Sequence, residues 1–81
     1  MNEWIVYILE CKDKTLYTGI TNNLERRLSQ HESGVGAKYT KGRGPFQVVY
    51  TETQENRARA SQREHEIKCL SKQEKLRLLV P

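Results

Sequence analysis

The 81-residue sequence contains no apolar run long enough to span a bilayer, and its start, MNEWIVYILE, lacks the basic segment and cleavage site of a signal peptide. We therefore expect neither membrane insertion nor secretion, and we expect a cytoplasmic protein. Cysteine is also scarce. Cys11 and Cys69 lie far apart and form no Cys-x-x-Cys or Cys/His cluster, so the sequence predicts two ordinary reduced thiols.

Hydrophobic residues make up only 36% of the chain, but they fall in periodic segments, which indicates a folded domain. The length suits one compact domain over residues 1–81 with a modest core, and we find no internal repeat or linker. The net charge of +4 favours a polyanionic partner such as nucleic acid, although solubility explains such a charge equally well.

The first twenty residues predict a β-hairpin. The segment Trp4–Glu10 is apolar on both faces, which is typical of a central strand. A polar turn follows, and Leu16–Ile20 is the returning strand. A turn centred on position 12 or 13 puts Tyr7 opposite Tyr17 or its neighbour at 18, with cross-strand neighbours about 5 Å apart. Gly19 predicts a bulge or a close approach by another group.

An amphipathic helix is predicted next, with Asn22 or Asn23 as its N-cap and its end near positions 33 and 34. Its apolar stripe begins at Leu24. Arg27 and His31 follow three and seven residues later, so both fall on or beside that stripe. Charged groups are unusual on the inner face of a helix, which makes these two residues candidates for a functional site.

The remaining chain predicts a third strand and two further helices. The third strand covers Phe46–Tyr50, Thr53 is the N-cap of a long helix to about Leu70, and Ser71–Glu74 has the form of a capping box for a short final helix. Since the first two strands are antiparallel, the predicted fold is a small mixed α/β (α+β) domain.

Glu64 stands in the apolar stripe of the long helix, because Ala60, Glu64 and Ile67 follow i, i+4, i+7 spacing. An unpaired carboxylate there is costly, so Glu64 either pairs with a cation such as Arg27 or holds a metal. Mg²⁺ takes one or two protein carboxylates and completes its octahedron with water and phosphate oxygens, so one glutamate suffices. Glu66 lies about 200° round the helix and is a poorer candidate.

A glycine-rich basic loop joins the first helix to the third strand. Its mixture of cations and an aromatic residue suits a phosphate backbone, and the candidate nucleic-acid contacts are Lys38, Tyr39, Lys41 and Arg43. A solvated loop explains the same composition.

Each candidate side chain also has a structural interpretation. Strand tyrosines commonly pack with the hydroxyl in water, and Arg27 can lie over the leucines of its helix. His31 can interact with the helix C-terminus, and Glu64 can be half of an ion pair. The joint occurrence of these residues at this spacing favours a functional site.

Together these residues resemble the GIY-YIG nuclease superfamily. Ile5-Val6-Tyr7 stands at the first triplet and Tyr17-Thr18-Gly19 at the second, with isoleucine for the first glycine and threonine for the second isoleucine, both at scaffold positions. The following consensus is matched by Thr21, Leu24, Arg27 and His31, and Glu64 stands where the metal-binding glutamate is expected.

The resemblance covers nearly the full chain. It is strong to the small stand-alone bacterial members, above all in the stretches GAKYTKGRGPFQVVY and REHEIKCLSKQEKLRLL. These members are related to the nuclease domains of a structure-specific junction endonuclease, an excision-repair incision subunit and phage homing endonucleases.

The resemblance implies a three-stranded antiparallel sheet flanked by helices, and DNA hydrolysis with one divalent cation, Mg²⁺ or Mn²⁺. In that scheme Tyr7 or Tyr17 helps to deprotonate the attacking water, Arg27 steadies the scissile phosphate, His31 assists in orientation or proton transfer, and Glu64 holds the metal. A free tyrosine, with a pKa of about 10, is about one part in a thousand ionised at pH 7, so metal-bound water or Arg27 must bring acid and base closer.

The first hypothesis is therefore a Mg²⁺-dependent DNA endonuclease of low sequence specificity that acts on branched, nicked or single-stranded DNA in repair or recombination. We expect no room for a separate target-binding domain, so affinity would come from phosphate contacts and fall steeply with salt. A protein partner could then supply the target. The alternatives are a non-catalytic nucleic-acid-binding module of the same fold, and an adaptor that works through protein contacts.

Overall fold

The computed structural model describes residues 3–36 and 40–79, which form a three-stranded sheet and three helices. In chain order the elements are β1 (Trp4–Glu10), β2 (Leu16–Thr21), α1 (Leu24–Glu32), β3 (Gln47–Gln54), α2 (Arg57–Lys68) and α3 (Lys72–Leu79). The strand order is β2-β1-β3, and both pairings are antiparallel. The predicted α+β fold with a three-stranded antiparallel sheet is therefore confirmed.

The central strand β1 separates the core from a polar cluster, because its side chains alternate between the two faces of the sheet. Val6 and Ile8 are fully buried and pack in the core with Ala60 and Ile67 of α2. Tyr7 lies between them in the sequence and contacts His31 of α1. Helices α1 and α2 therefore cover opposite faces of β1.

The hairpin register differs from the prediction. Tyr7 pairs with Gly19, while Tyr17 pairs with Leu9, so the expected pairing of Tyr7 with Tyr17 or Thr18 is wrong by one or two positions. The two phenols still lie on one face, as diagonal neighbours with ring centroids 6.3 Å apart. The expected meeting of the two tyrosines is thus observed, but across a diagonal.

Gly19 explains how the two rings fit. A Cβ atom at this position would lie 2.6 Å from the Tyr7 Oη atom and 3.0 Å from Tyr17 Cε2, so only glycine lets both rings cover the strand. The predicted close approach is confirmed. The alternative of a bulge at Gly19 is wrong, since the irregularity lies in the β1–β3 pairing, between Ile8 and Leu9.

Helix α1 begins after Asn23, which the structure selects over Asn22 as the N-cap. The Asn23 side chain accepts a hydrogen bond from the Arg26 N–H at 3.0 Å, and the Asn23 N–H donates to Thr21 Oγ1 at 3.0 Å. The helix ends at Glu32, with Ser33 as its C-cap, close to the predicted end. These caps fix the position of Arg27 and His31 relative to the hairpin.

The boundary between β3 and α2 lies later than predicted. Strand β3 continues to Gln54, so Thr53 belongs to the strand, and the N-cap of α2 is Asn56. The Asn56 side chain accepts a hydrogen bond from the Arg59 N–H at 2.9 Å. At its other end α2 stops at Lys68 instead of Leu70.

The longer strand pairs with β1 as far as Gln54, and it also carries a long-range ion pair. Glu52 of β3 is half-buried and accepts a hydrogen bond at 2.9 Å from Arg63 of α2, and it also accepts one from Tyr50 at 2.6 Å. This network satisfies a carboxylate that the sequence alone leaves without a partner. The polar segment TETQ is therefore stable as an edge strand.

The last helix, α3, begins at the predicted capping box. The Ser71 N–H donates to Glu74 Oε1 at 2.9 Å, and the Glu74 N–H donates to Ser71 Oγ at 3.2 Å. Leu78 and Leu79 then pack against the core. Among the helices of residues 3–36 and 40–79, none is long and apolar enough to cross a bilayer.

Candidate active site

Three buried polar side chains from β1, α1 and the following loop are linked by hydrogen bonds. We call them the Tyr7–His31–Thr40 network. The Tyr7 Oη atom lies 2.9 Å from His31 Nε2, and His31 Nδ1 lies 2.8 Å from Thr40 Oγ1. Each of these residues is 1% exposed. Groups this deeply buried need hydrogen-bond partners, and here each ring nitrogen of His31 has one.

His31 is held in its neutral form. Burial lowers its pKa, and the positive charge of Arg27 lowers it further. A neutral imidazole carries a proton on one nitrogen and accepts a hydrogen bond at the other. Because the phenol is the more acidic hydroxyl, we place its proton toward Nε2, and Nδ1–H then donates to Thr40.

Tyr7 is a very weak acid in this environment. Burial raises its pKa to about 12, against the opposing effect of a hydrogen bond with Arg27. At pH 7 about one part in 10⁵ of such a phenol is ionised. Tyr7 can therefore accept a proton only if its own proton passes to another group, and His31 Nε2 is within hydrogen-bond distance.

Arg27 is half-buried on α1 and faces both tyrosines. Hydrogen bonding to the Tyr7 oxygen is the largest influence on its guanidinium, and it raises the pKa of Arg27. Its Nη1 atom also donates to Gln30 Oε1 at 3.0 Å, which fixes the side chain along the helix. The result is a permanent positive charge beside the phenols, suited to stabilising a phosphate.

Glu64 lies on the predicted buried stripe of α2, with its side chain 23% exposed, whereas that of Glu66 is 63% exposed. The sequence choice of Glu64 over Glu66 as the inward-facing carboxylate is confirmed. The expected alternative that Glu64 pairs with a cation is observed, but the cation is Lys68, one turn further along α2, instead of Arg27. Lys68 Nζ lies 3.2 Å from Glu64 Oε2. Arg27 is engaged by Tyr7 and Gln30 instead.

Glu64 lies near enough to Tyr7 for the two to interact electrostatically, although α1 and α2 cover opposite faces of β1. The charge of Glu64 contributes to the raised pKa of Tyr7, and Lys68 Nζ lies 6.0 Å from the centre of the Tyr17 ring. The connection runs round β2, the edge strand that carries Tyr17.

The donor set fits a divalent cation with a single protein carboxylate. Within residues 3–36 and 40–79 there is no cluster of three or more His, Cys, Asp or Glu side chains that could hold a metal. The Glu64 carboxylate faces a cation in the structure, the Lys68 ammonium. Mg²⁺ is commonly bound through one or two carboxylates, with water and phosphate oxygens completing its coordination.

The basic loop is described in part. Lys38 and Tyr39 lie outside the described residues. Lys41 is exposed, and Arg43 forms an ion pair with Asp13 of the hairpin turn. The Arg43 carbonyl also accepts a hydrogen bond from the Lys12 N–H at 2.9 Å, so this end of the loop is fastened to the hairpin.

Sequence reasoning did not identify Thr40, and it gave Gly36 no role. A Cβ atom at Gly36 would lie 2.5 Å from His31 Nδ1, so the loop backbone packs directly on the imidazole. Neither residue stands in a periodic pattern. The available signal was a glycine and a threonine in the loop that follows a histidine, which is too common a combination to be diagnostic.

Comparison with known proteins identifies the family of the chain. The GIY-YIG catalytic domain matches residues 3–77 of the chain. The protein therefore belongs to the GIY-YIG family, a family of nuclease-type hydrolase domains for which DNA is the implied substrate.

Within that family the chain is similar to the UPF0213 proteins. The one from Oceanobacillus iheyensis is 58% identical over 74 residues, which cover 91% of this chain and 86% of the relative. The one from Natronomonas pharaonis is 55% identical over 74 residues, with 91% and 87% covered.

Solved structures show the same fold. The solution NMR structure of a UPF0213 protein from Bacillus halodurans has a TM-score of 0.61 at 49% identity and covers 98% of this chain and 83% of its own. That of a protein from E. faecalis has a TM-score of 0.65 at 38% identity and covers 96% and 84%.

Proposed function

We propose that this protein is a divalent-metal-dependent DNA endonuclease that hydrolyses phosphodiester bonds in branched, nicked or single-stranded DNA during repair or recombination. The observation that carries the proposal is the hydrogen bond between Tyr7 and His31, beside the Arg27 guanidinium and the Glu64 carboxylate. Family membership supports the nuclease class. The DNA structure, the cation and the cellular process are our proposal.

The Tyr7–His31–Thr40 network supplies a route for the proton of the attacking water. We assign Tyr7 as the group that accepts this proton while its own phenolic proton passes to His31 Nε2, 2.9 Å away. The phenol stays neutral in this transfer and the imidazole carries the positive charge, which burial and Arg27 make short-lived because they lower the pKa of His31. Thr40 orients the imidazole by accepting from Nδ1.

In this proposal Arg27 and Glu64 have electrostatic roles, one toward the phosphate and one toward the divalent cation. Arg27 would contact the phosphate and stabilise the negative charge that develops as water attacks. Glu64 would hold Mg²⁺ or Mn²⁺, which when bound lowers the pKa of coordinated water and neutralises a phosphate oxygen. Tyr17, half-buried at the edge of the sheet, would contact the phosphate or the water from the open side.

The test is DNA cleavage by the purified protein on single-stranded, nicked and four-way-junction substrates, with Mg²⁺, with Mn²⁺ and with EDTA. We expect Arg27→Ala to lower the single-turnover rate by about 10²–10³-fold, the usual effect of removing a group that stabilises transition-state charge. We expect Glu64→Gln to reduce cleavage to background. The matched controls are Arg26→Ala and Glu66→Gln, exposed neighbours on the same helices, which should leave the rate within about threefold.

Two outcomes would contradict the proposal. Cleavage that survives both Arg27→Ala and Glu64→Gln would point to a contaminating nuclease. Salt-dependent DNA binding with no product in any metal would instead support the non-catalytic nucleic-acid-binding module.

The ion pair between Lys68 and Glu64 gives a second prediction. A divalent cation must compete with the Lys68 ammonium for the carboxylate, so Lys68→Met should strengthen Mn²⁺ binding in the absence of DNA. We expect about a tenfold lower Kd by titration calorimetry, since a like unit charge about 4 Å away costs on the order of 1 kcal/mol even at the dielectric constant of bulk water, and a tenfold change in Kd is about 1.4 kcal/mol. Lys14→Met, which removes a lysine paired with Glu10 on the hairpin, is the control and should leave the Kd unchanged. An unchanged Kd in Lys68→Met would mean that the metal does not bind at Glu64.

A further inference from the structure

Two adjoining hollows lie where the α2–α3 junction faces the start of β2. One, of about 210 Å³, is lined by Thr15, Leu16, Lys72 and Lys75, and the other, of about 350 Å³, is lined by Leu16, Tyr17, Thr18, Lys68 and Lys75. Leu16 and Lys75 line both, so they form one surface, which we call the lysine cleft. We infer that the lysine cleft binds the sugar–phosphate backbone of a DNA strand that leads to the candidate active site, with Lys72 and Lys75 contacting its phosphates.

The first support is charge. Three of the seven residues that line the cleft are lysines, and none is acidic. Lys68 pairs with Glu64, but in the described part of the chain Lys72 and Lys75 form no ion pair. By contrast, Arg43 and Arg63 are both engaged by carboxylates. The outer part of the cleft therefore carries uncompensated positive charge, which favours a polyanion.

The second support is the wall formed by β2. Thr18 is 3% exposed, and within residues 3–36 and 40–79 its Oγ1 atom has no hydrogen-bond partner. A buried hydroxyl without a partner is unusual in a native fold and is accounted for if a ligand or water reaches it. Leu16 and the Tyr17 ring are half-buried beside it and offer apolar contact to sugars or bases.

The third support is continuity with the candidate active site. Tyr17 lines the inner hollow, and its ring lies 6.0 Å from Lys68 Nζ, which in turn pairs with Glu64. A strand held by Lys72 and Lys75 would thus lead its next phosphates toward the residues proposed to hydrolyse them. This inference rests on the proposed function and adds to it the surface that holds the substrate.

The test is the salt dependence of binding to a fluorescent single-stranded oligonucleotide, measured by anisotropy in EDTA so that no strand is cut. Loss of two phosphate contacts in the double variant Lys72→Gln/Lys75→Gln should reduce the slope of log K against log salt by about 1.4, at about 0.7 for each contact. Affinity at about 50 mM salt should fall by about tenfold or more. The variant Lys72→Arg/Lys75→Arg should restore both quantities, because arginine keeps the charge.

The control is Arg26→Gln/Arg59→Gln, which removes the same net charge from exposed positions on α1 and at the start of α2. Equal slopes for the two double variants would overturn the inference, since only general charge would matter. If the wild type binds DNA and the double lysine variant loses slope as predicted, but no cleavage occurs in Mg²⁺ or Mn²⁺, the lysine cleft is supported and the nuclease proposal is contradicted. If cleavage occurs but the slope of the double lysine variant equals that of the wild type, the nuclease proposal is supported and the lysine cleft is contradicted. Circular dichroism melts check that both double variants fold.

Discussion

The two tyrosines of the site differ in what surrounds them, although both were equivalent candidates in the sequence. Tyr7 is 1% exposed, and its hydroxyl is bonded to His31, while Tyr17 is half-buried at the lysine cleft. The hydrogen-bonded phenol has a proton acceptor already in position. The more open phenol is placed to contact substrate. This difference makes their roles separable by experiment.

Tyr7→Phe removes the hydroxyl and leaves the ring, so the proton route to His31 is broken. We expect a single-turnover rate lower by about 10²–10⁴-fold, the usual range for a lost general acid–base group. Stability should fall by about 1–3 kcal/mol, because His31 Nε2 is left without its partner. Rapid-quench cleavage and urea unfolding measure the two effects.

Tyr17→Phe is the matched comparison and should cost less than Tyr7→Phe in rate. Tyr50→Phe, on β3, controls for the loss of a phenol elsewhere, since its hydroxyl donates to Glu52. A larger rate loss for Tyr17→Phe than for Tyr7→Phe would transfer the proton-accepting role to Tyr17.

The sequence can mark a single residue as a candidate where that residue interrupts the periodic apolar pattern of a helix. Arg27, His31 and Glu64 each occupy an apolar stripe, and a polar side chain in a stripe is conspicuous in the sequence. Thr40 and Gly36 contact His31 from a loop, where no period exists to mark them. Their roles depend on how the loop folds back, and only the structure contains that information.

At the scale of the elements, the packing of the two tyrosine rings on β2 depends on Gly19. Gly19→Ala would place a Cβ atom 2.6 Å from Tyr7 Oη, inside any real contact distance. Tyr7 would have to move away from His31, so we expect a loss of about 1–3 kcal/mol in stability, the usual cost of overpacking. We also expect a lower cleavage rate.

Urea unfolding and single-turnover cleavage of Gly19→Ala test this prediction. Thr53→Ala, an exposed substitution on β3, is the control and should change stability by no more than about 0.5 kcal/mol. If Gly19→Ala keeps wild-type stability and rate, the packing of the tyrosine rings over β2 is not essential.

The boundary between β3 and α2 shows where element prediction failed. The segment TETQ is polar and reads as the approach to a helix, so Thr53 was a reasonable N-cap. In the structure this segment continues the pairing with β1, and Arg63, which lies 11 residues beyond Glu52, binds that carboxylate from α2. A contact of that range leaves no local signal, whereas the capping box at Ser71 is local and was predicted correctly.

For the whole molecule, the titration of His31 and Tyr7 in the Tyr7–His31–Thr40 network predicts that the free energy of unfolding is largest around neutral pH. Burial holds the pKa of His31 below its usual value of about 6.5, so the unfolded chain binds a proton first as the pH falls. The stabilisation from His31 is complete above about pH 6.5 and decreases from there as the pH falls through the folded pKa. The stabilisation from Tyr7 is complete below pH 10 and is lost between 10 and about 12.

Urea unfolding from about pH 5 to 7.5 isolates the histidine contribution, because carboxylates such as Glu52, whose pKa is lowered, titrate below about 4.5. His31→Gln should flatten the dependence of unfolding free energy on pH in this window. The exposed His65→Gln is the control for the loss of an imidazole elsewhere in the protein. An equal slope for His31→Gln and the wild type would mean that His31 titrates alike in both states.

The alternation of side chains along β1 limits how this small domain can vary. Val6 and Ile8 pack in the hydrophobic core, while Tyr7 lies in the polar cluster on the other face of the sheet. Inserting or deleting one residue in β1 would therefore turn the apolar side chains to the polar face and the tyrosine to the core, which would disrupt both. Substitutions in β1 can change chemistry or packing separately, but its length is fixed by both. Changes in chain length should be tolerated instead in connecting segments away from the hairpin turn, because the length of that turn sets the register between β1 and β2.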